Sequence, residues 1–110
     1  MVSVEVHVHN TEYYFRKKFL VSAAPLPGFR IEFVNGNVML DVKWVKQNLE
    51  EDSFEVFCYA TIEQLLTLHQ SQTGWQTNDP VKFENDSAVH KAAKNIKKNQ
   101  ERIAQLIEKG

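Results

Sequence analysis

Val2, Val4, Val6 and Val8 alternate strictly with Ser3, Glu5, His7 and His9. A period of two puts the four valines on one side of a pleated strand, so the chain opens with a strand buried on one face. β character resumes over 13–22, with one fault. Tyr13, Phe15, Phe19 and Val21 share a parity that Lys17 breaks, and Tyr14, Arg16, Lys18 and Leu20 share the other. Either Lys17 lies on a sheet edge, where an inward charge discourages further pairing, or a bulge near Arg16 shifts the register. Ala23-Ala24-Pro25-Leu26-Pro27-Gly28 then ends the ladder, because proline has no N–H to donate and biases its predecessor to extended geometry.

The centre of the pattern is residues 29–60. Asn35-Gly36 separates the runs 29–34 and 37–44. A two-residue type I′ turn needs positive φ at both central positions, which Asn and Gly tolerate best, so the pair predicts a hairpin. Phe29, Ile31 and Phe33 share the inward parity, as do Val38, Leu40, Val42 and Trp44 across the turn. After the acidic turn Glu50-Glu51-Asp52-Ser53 comes a third inward set, Phe54, Val56, Cys58 and Ala60. The opposite parity is also apolar in places, at Met39, Val45, Phe57 and Tyr59. A sheet wet on one side carries polar residues there. Part of this sheet is therefore expected to be covered on both faces, by a helix, a second subunit or a ligand.

Period 3.6 takes over at Thr61. Thr61-Ile62-Glu63-Gln64 fits a capping box, and Ile62, Leu65, Leu66 and His69 line one helical face that Leu68 widens. The helix is expected to stop near Gln72, with Gly74 supplying a left-handed residue. Asn78-Asp79-Pro80 reads as a turn, and Val81-Lys82-Phe83 as a short edge strand. Residues 87–109 hold no Gly or Pro and are rich in Ala, Lys, Gln and Glu, which predicts a final helix roughly 34 Å long. In heptad notation, position a carries Val89, Ile96 and Ile103, and position d carries Ala92, Asn99 and Leu106; Ala93, Gln100 and Ile107 widen the stripe. Such a helix either lies across the sheet or pairs with a second copy. The expectation is one α+β domain over 1–110: an antiparallel sheet of four to five strands within residues 2–60, then a short helix and a long C-terminal helix packing on the sheet.

At 110 residues, 43% hydrophobic and 25% charged, the chain is long enough to form one core without metals or disulfides. A single cysteine forms no internal disulfide, and the N-terminus lacks the basic and apolar regions of a signal peptide, which points to the cytoplasm. Lys or Arg interrupts every apolar stretch before the roughly 20 residues that span a bilayer, so no membrane span is expected. Charge is uneven: residues 86–110 hold six Lys/Arg against three acids, net +3, and the remainder seven against eleven, net −4. A tail of this kind either meets an anionic partner or lies against its own acidic body.

His7 and His9 share a strand face and are weak candidate metal ligands, with Glu5 on the same parity as a third; His69 and His90 could join only through the fold. The plainer reading makes the pair exposed polar positions, and no metal or cofactor is expected. Cys58 falls in the apolar set, where a thiol acts as a small hydrophobe rather than a nucleophile. No phosphate-cradling glycine motif, nucleophile elbow or CxxC occurs. Tyr14, Arg16 and Lys18 on one strand face, with Lys43 on another, combine stacking and charge and give a non-specific nucleic-acid face. The leading expectation is a non-enzymatic binding module, homodimeric or with another protein partner, meeting it through Met39, Val45, Phe57 and Tyr59 or through the final helix. The alternatives are a small-molecule site, catalytic or carrier-like, between sheet and helices beside Trp44 or Trp75, and, less favoured, RNA or single-stranded DNA binding.

Overall fold

The computed structural model describes the backbone of residues 1–109 and side chains as far as 107. Alternation yields β1 (Val2–His9) and β2 (Tyr14–Val21); the central run yields β3 (Arg30–Phe33), β4 (Val38–Asn48) and β5 (Ser53–Tyr59). Then follow α1 (Ile62–Ser71), the two-residue β6 (Gln76–Thr77), α2 (Pro80–Asn85) and α3 (Ser87–Lys109). The architecture is α+β, as expected, with six strands ordered β3-β4-β5-β1-β2-β6. Every pairing is antiparallel except β1 with β5, which run parallel.

The sheet curls. β2 and β3 stand four places apart in the strand order, yet the Phe19 and Phe33 ring centres are 6.0 Å apart. Trp75 closes the triangle at 6.0 Å from Phe19 and 5.8 Å from Phe33. The proline-bearing link over 22–29 bridges the same gap, and its Ala24 packs on the core. Inside the curl lie Val4, Val6, Val8, Phe15, Val56 and Cys58, with Leu65, Leu68 and Phe83 packed on them from the helices.

The β1/β2 register runs unbroken from Val2 opposite Val21 to His9 opposite Tyr14, and β6 pairs only with Phe15 and Arg16. From Lys17 onward β2 is therefore an open edge, which decides between the two readings of that position. Lys17 turns its ammonium over the Phe19 ring at 5.2 Å. An inward lysine at an unpaired edge discourages a further strand from adding there.

The β3/β4 hairpin turns at Asn35-Gly36, where the Asn37 N–H donates to the Val34 carbonyl at 3.1 Å, but pairing stops at Phe33 opposite Val38 and Val34, Asn35 and Gly36 all take positive φ (54°, 55° and 85°), so the connection is four residues, 34–37, rather than the expected two. Phe29, placed inward by parity, is exposed. It precedes β3 in a turn whose N–H bonds to Leu26, so strand alternation does not govern it.

A second departure matters more. The β4/β5 register shifts between Val42, opposite Cys58, and Trp44, opposite Phe57. Lys43 is the extra residue of a bulge, and everything after it changes face. Trp44, expected inward, points outward, while Val45, expected outward, faces Val56 and packs on the core.

The Thr61 capping box is present: Thr61 N–H donates to Gln64 Oε1 at 2.9 Å and Gln64 N–H to Thr61 Oγ1 at 3.2 Å. Val81-Lys82-Phe83, expected as an edge strand, is helical. Asp79 caps α2 by accepting the Lys82 N–H at 3.0 Å and Pro80 takes the first helical position, where its missing N–H is harmless. The edge strand is Gln76-Thr77 instead. In α3, Val89 and Ala92 are buried against the other helices, with Ala93 and Ile96 partly so. From 97 to 107 every residue is exposed, and the long dimension reaches 53 Å.

Asp86 ties the layers together. Its Oδ1 accepts the Ala88 N–H at 2.8 Å, its backbone carbonyl accepts the His90 N–H at 3.1 Å, and its Oδ2 accepts the Tyr13 hydroxyl at 2.5 Å. One carboxylate thus caps α3 and fixes it to the start of β2. The Tyr13 hydroxyl is pushed up to about 12 by that bond and by burial. The same bond, with the Ala88 N–H, holds the Asp86 carboxyl below its ordinary range. A depressed carboxyl stabilises the fold above its unfolded pKa and loses that contribution as pH falls through the folded value; the raised tyrosine contributes below its unfolded pKa of about 10 and loses it as pH rises through the folded value. Asp86→Ala is expected to lower Tm by several degrees at neutral pH, with the deficit shrinking as both proteins are melted at progressively more acidic pH. A deficit independent of pH would show that the carboxylate charge plays no part.

Candidate functional site: the outer face of the sheet

The helices occupy one face of the sheet, and the chemistry gathers on the other. Strand register arranges it in cross-strand rows. Lys46, Glu55, Glu5 and Lys18 form one row over β4, β5, β1 and β2. Trp44, Phe57, His7 and Arg16 form the next, and Tyr59, His9 and Tyr14 the third. Because neighbouring strands lie about 4.8 Å apart, side chains in a row touch.

The middle row is a stack of rings. Trp44 lies parallel to Phe57 (centres 3.7 Å apart, planes 7° apart), and Phe57 parallel to His7 (4.6 Å, 8°). Tyr14 closes on the far side of His7 at 5.3 Å, tilted 39°. Parallel rings at strand spacing stand upright on the sheet, so each covers its neighbour's face and turns an edge to solvent. Phe57 is covered on both sides, and Trp44, at the end of the row, keeps one face free and is 51% exposed. His9 and Tyr59 pack edge to face at 4.4 Å. Beside these rings is a shallow hollow of about 360 Å³ bounded by His9, Thr11, Tyr14, Trp44 and Phe57.

His7 does not sit in water as its alternation implied: it is 3% exposed, because Phe57 and Tyr14 flank its ring. Its Nδ1 is bonded to the Tyr14 hydroxyl. Its Nε2 lies 3.0 Å from Glu5 Oε1 and 3.2 Å from Glu55 Oε1. Burial, and after it the charge of Glu5, raises the Tyr14 hydroxyl pKa, against which Arg16 acts. Glu5, His7 and Glu55 present ligand atoms within 4.8 Å of one another. Glu5 was legible as a partner by parity; Glu55 was not, because only the parallel β1/β5 pairing brings it alongside. His9 is turned to Tyr59 rather than to this cluster. His69 and His90 belong to the helical layer, where His69 packs on Phe15 and Phe83 and the His90 Nε2–H donates to the Glu84 carbonyl at 2.7 Å.

Of the four residues expected to form a contact surface, Met39 (47% exposed), Phe57 and Tyr59 (60% exposed) share the outer face, and Trp44 takes the place of the core-facing Val45. Of the four expected at a nucleic-acid face, Tyr14, Arg16 and Lys18 share β2, with Arg16 Nε donating to Gln76 Oε1 at 3.1 Å. Lys43 is three strands away in the bulge, with the Glu5 and Glu55 carboxylates between. Cys58 is buried in the core, and burial pushes its thiol up to about 11, the reverse of what an attacking thiolate needs. Trp44 lies on the outer face of the sheet, and Trp75 packs with Phe19 and Phe33 on the inner one.

The bulge makes a direct prediction for fluorescence. Trp44→Phe is expected to remove the component of tryptophan emission quenched by acrylamide and to shift the remainder to the blue, leaving buried Trp75. Measured at a dilution where the chain is monomeric, two equally protected tryptophans in the wild type would place Trp44 in the core and refute the register shift. Phe57→Ala, which strips a face from both Trp44 and His7, is expected to cost about 2 kcal/mol in chemical denaturation. Comparison of the chain with protein-family models, curated proteins and solved structures finds no match to any of them.

Proposed function

We propose that this chain is a non-enzymatic binding module that pairs with a second copy of itself, the outer sheet face of each copy receiving the projecting end of the other's α3. The observation that carries this reading is the course of one apolar stripe. Val89 and Ala92 begin it in the core, and Ile103, Leu106 and Ile107 continue it on helix exposed all round. An amphipathic helix draws most of its stability from packing its apolar face, so a stripe that runs on into solvent calls for a partner surface.

Another uncovered apolar surface of the same chain is the outer sheet face at Met39, Trp44 and Tyr59. Charge favours matching the two: residues 97–107 carry Lys97, Lys98 and Arg102 against Glu101, while β1, β4, β5 and the adjoining 10–13 turn carry Glu5, Glu12, Asp41 and Glu55 against Lys43 and Lys46. Area favours it too. Helix against helix covers three exposed apolar side chains a copy, whereas helix on sheet face, made twice about a two-fold axis, covers Met39, Trp44 and Tyr59 of each copy as well.

The nucleic-acid reading has less support, because base stacking needs open ring faces and phosphate tracking needs continuous positive charge. Here Phe57 is sandwiched, and Glu5 and Glu55 divide Lys43 from Arg16 and Lys18.

Light scattering after size exclusion tests the proposal. Wild type is expected at twice the monomer mass at high micromolar concentration, and Leu106→Asp and Trp44→Ala each as a monomer. An equimolar mixture of the two variants is expected to recover part of the dimer, since one copy contributes a sound helix end and the other a sound sheet face. A wild type monomeric at that concentration sinks the reading, and a Trp44→Ala dimer as strong as wild type excludes the sheet face from the contact.

A further inference from the structure

The parallel register sets Glu5 directly beside Glu55, two carboxylates on neighbouring strands of the outer face. Like charges in that position repel, so a cation between them is stabilising. Both carboxylates converge on one atom, Nε2 of His7, at 3.0 and 3.2 Å. A single N–H points well at one acceptor, not at two. A metal ion has no such restriction. Bond lengths of about 2.1 Å to nitrogen and oxygen put adjacent ligands roughly 3.0 Å apart at right angles and roughly 3.4 Å apart in a tetrahedron; the two separations from Nε2 to the carboxylates fall in that interval, and all three ligand atoms lie within 4.8 Å of one another.

The support behind the imidazole matches as well. Its Nδ1 is engaged by the Tyr14 hydroxyl, which fixes the ring and, with Nδ1 as donor, leaves the Nε2 lone pair facing the carboxylates. Phe57 holds the ring from one side, and His7 is buried while Glu5 and Glu55 stay partly open to solvent, with side chains 20% and 35% exposed. A hollow of about 310 Å³ bounded by Ser3, Lys18, Asn48 and Glu51 leads to the two carboxylates.

We propose that Glu5, His7 and Glu55 form a binding site for a divalent first-row transition ion of the zinc class. Nε2 of His7 and one oxygen of each glutamate are the protein ligands, and water fills the remaining positions. One imidazole with two carboxylates suits zinc, manganese or iron(II) better than calcium or magnesium, which favour all-oxygen sets. Lys46, 3.7 Å from the second oxygen of Glu55, and Lys18, beside Glu5 in the same row, compete for these carboxylates and restrain the affinity. The alternative occupant is a proton: His7 as an imidazolium held between the two glutamates. The site does not depend on self-pairing.

Calorimetry with zinc chloride on the full chain, after chelator treatment and dialysis, separates the two. One equivalent is expected to bind with micromolar affinity. His9→Ala is expected to leave that affinity unchanged, which sets the site apart from casual binding by surface histidines. Glu55→Gln keeps shape and hydrogen-bonding capacity and is expected to weaken binding by at least ~10-fold. His7→Gln is expected to abolish it, with circular dichroism to show that the variant is folded. If His7→Gln unfolds, cobalt(II) absorption in wild type and Glu55→Gln decides: visible ligand-field bands in the former that fade in the latter support the site. No saturable uptake by the wild type, or equal affinity in wild type and Glu55→Gln, overturns it and leaves the imidazolium.

Discussion

The parallel contact between β1 and β5 is the constraint from which the rest follows. The chain makes it after two antiparallel excursions: β2 folds back on one side of β1, and β3, β4 and β5 return as a meander to the other. One register then fixes three things at once. It sets Val4, Val6 and Val8 against Phe54, Val56 and Cys58 in the core, it sets His7 against Phe57, and it forces Glu5 beside Glu55. Sliding either strand by one residue would turn that strand's share of these side chains to the opposite face.

The curl comes next in importance. A flat six-stranded sheet would hold β2 and β3 far apart; here Phe19, Phe33 and Trp75 meet across the inner face and draw the edges together. The helices that fill the concavity leave the outer face to itself. On that face burial is achieved without a covering layer, since upright rings shield one another along the row and His7 loses contact with water among Phe57 and Tyr14. A polar residue so enclosed must have its nitrogens engaged, and Tyr14, Glu5 and Glu55 meet that requirement.

The β4 bulge connects the two faces. With Lys43 as the extra residue, Trp44 leaves the core to extend the ring stack and Val45 enters opposite Val56. The bend also leaves β4 without a neighbour beyond β3, since Gly28 and Phe29 make the last bonds on that side, to Val42. Lys43 and Lys46 are exposed along the open stretch, a common means of deterring edge-to-edge addition.

Local rules written in neighbouring residues were legible from the sequence: the Val2 to Val8 alternation, the Asn35-Gly36 turn, the Thr61 capping box, the uninterrupted helix over 87–109 and the core position of Cys58. Each depends on backbone geometry within a few residues. Where two local signals competed, the stronger capping signal of Asp79-Pro80 overrode the strand-like Val81-Lys82-Phe83. Only the tertiary structure decided what long-range pairing controls. Periodicity assigns a residue to a face but does not say which strand lies beside it, so the meeting of His7 with Glu55, 48 positions away, has no trace in local pattern. Nor does a bulge announce itself where both Trp44 and Val45 are apolar, because either register buries a hydrophobic side chain, and only the packing of Val45 on Val56 against the freedom of Trp44 to stack on Phe57 chooses between them.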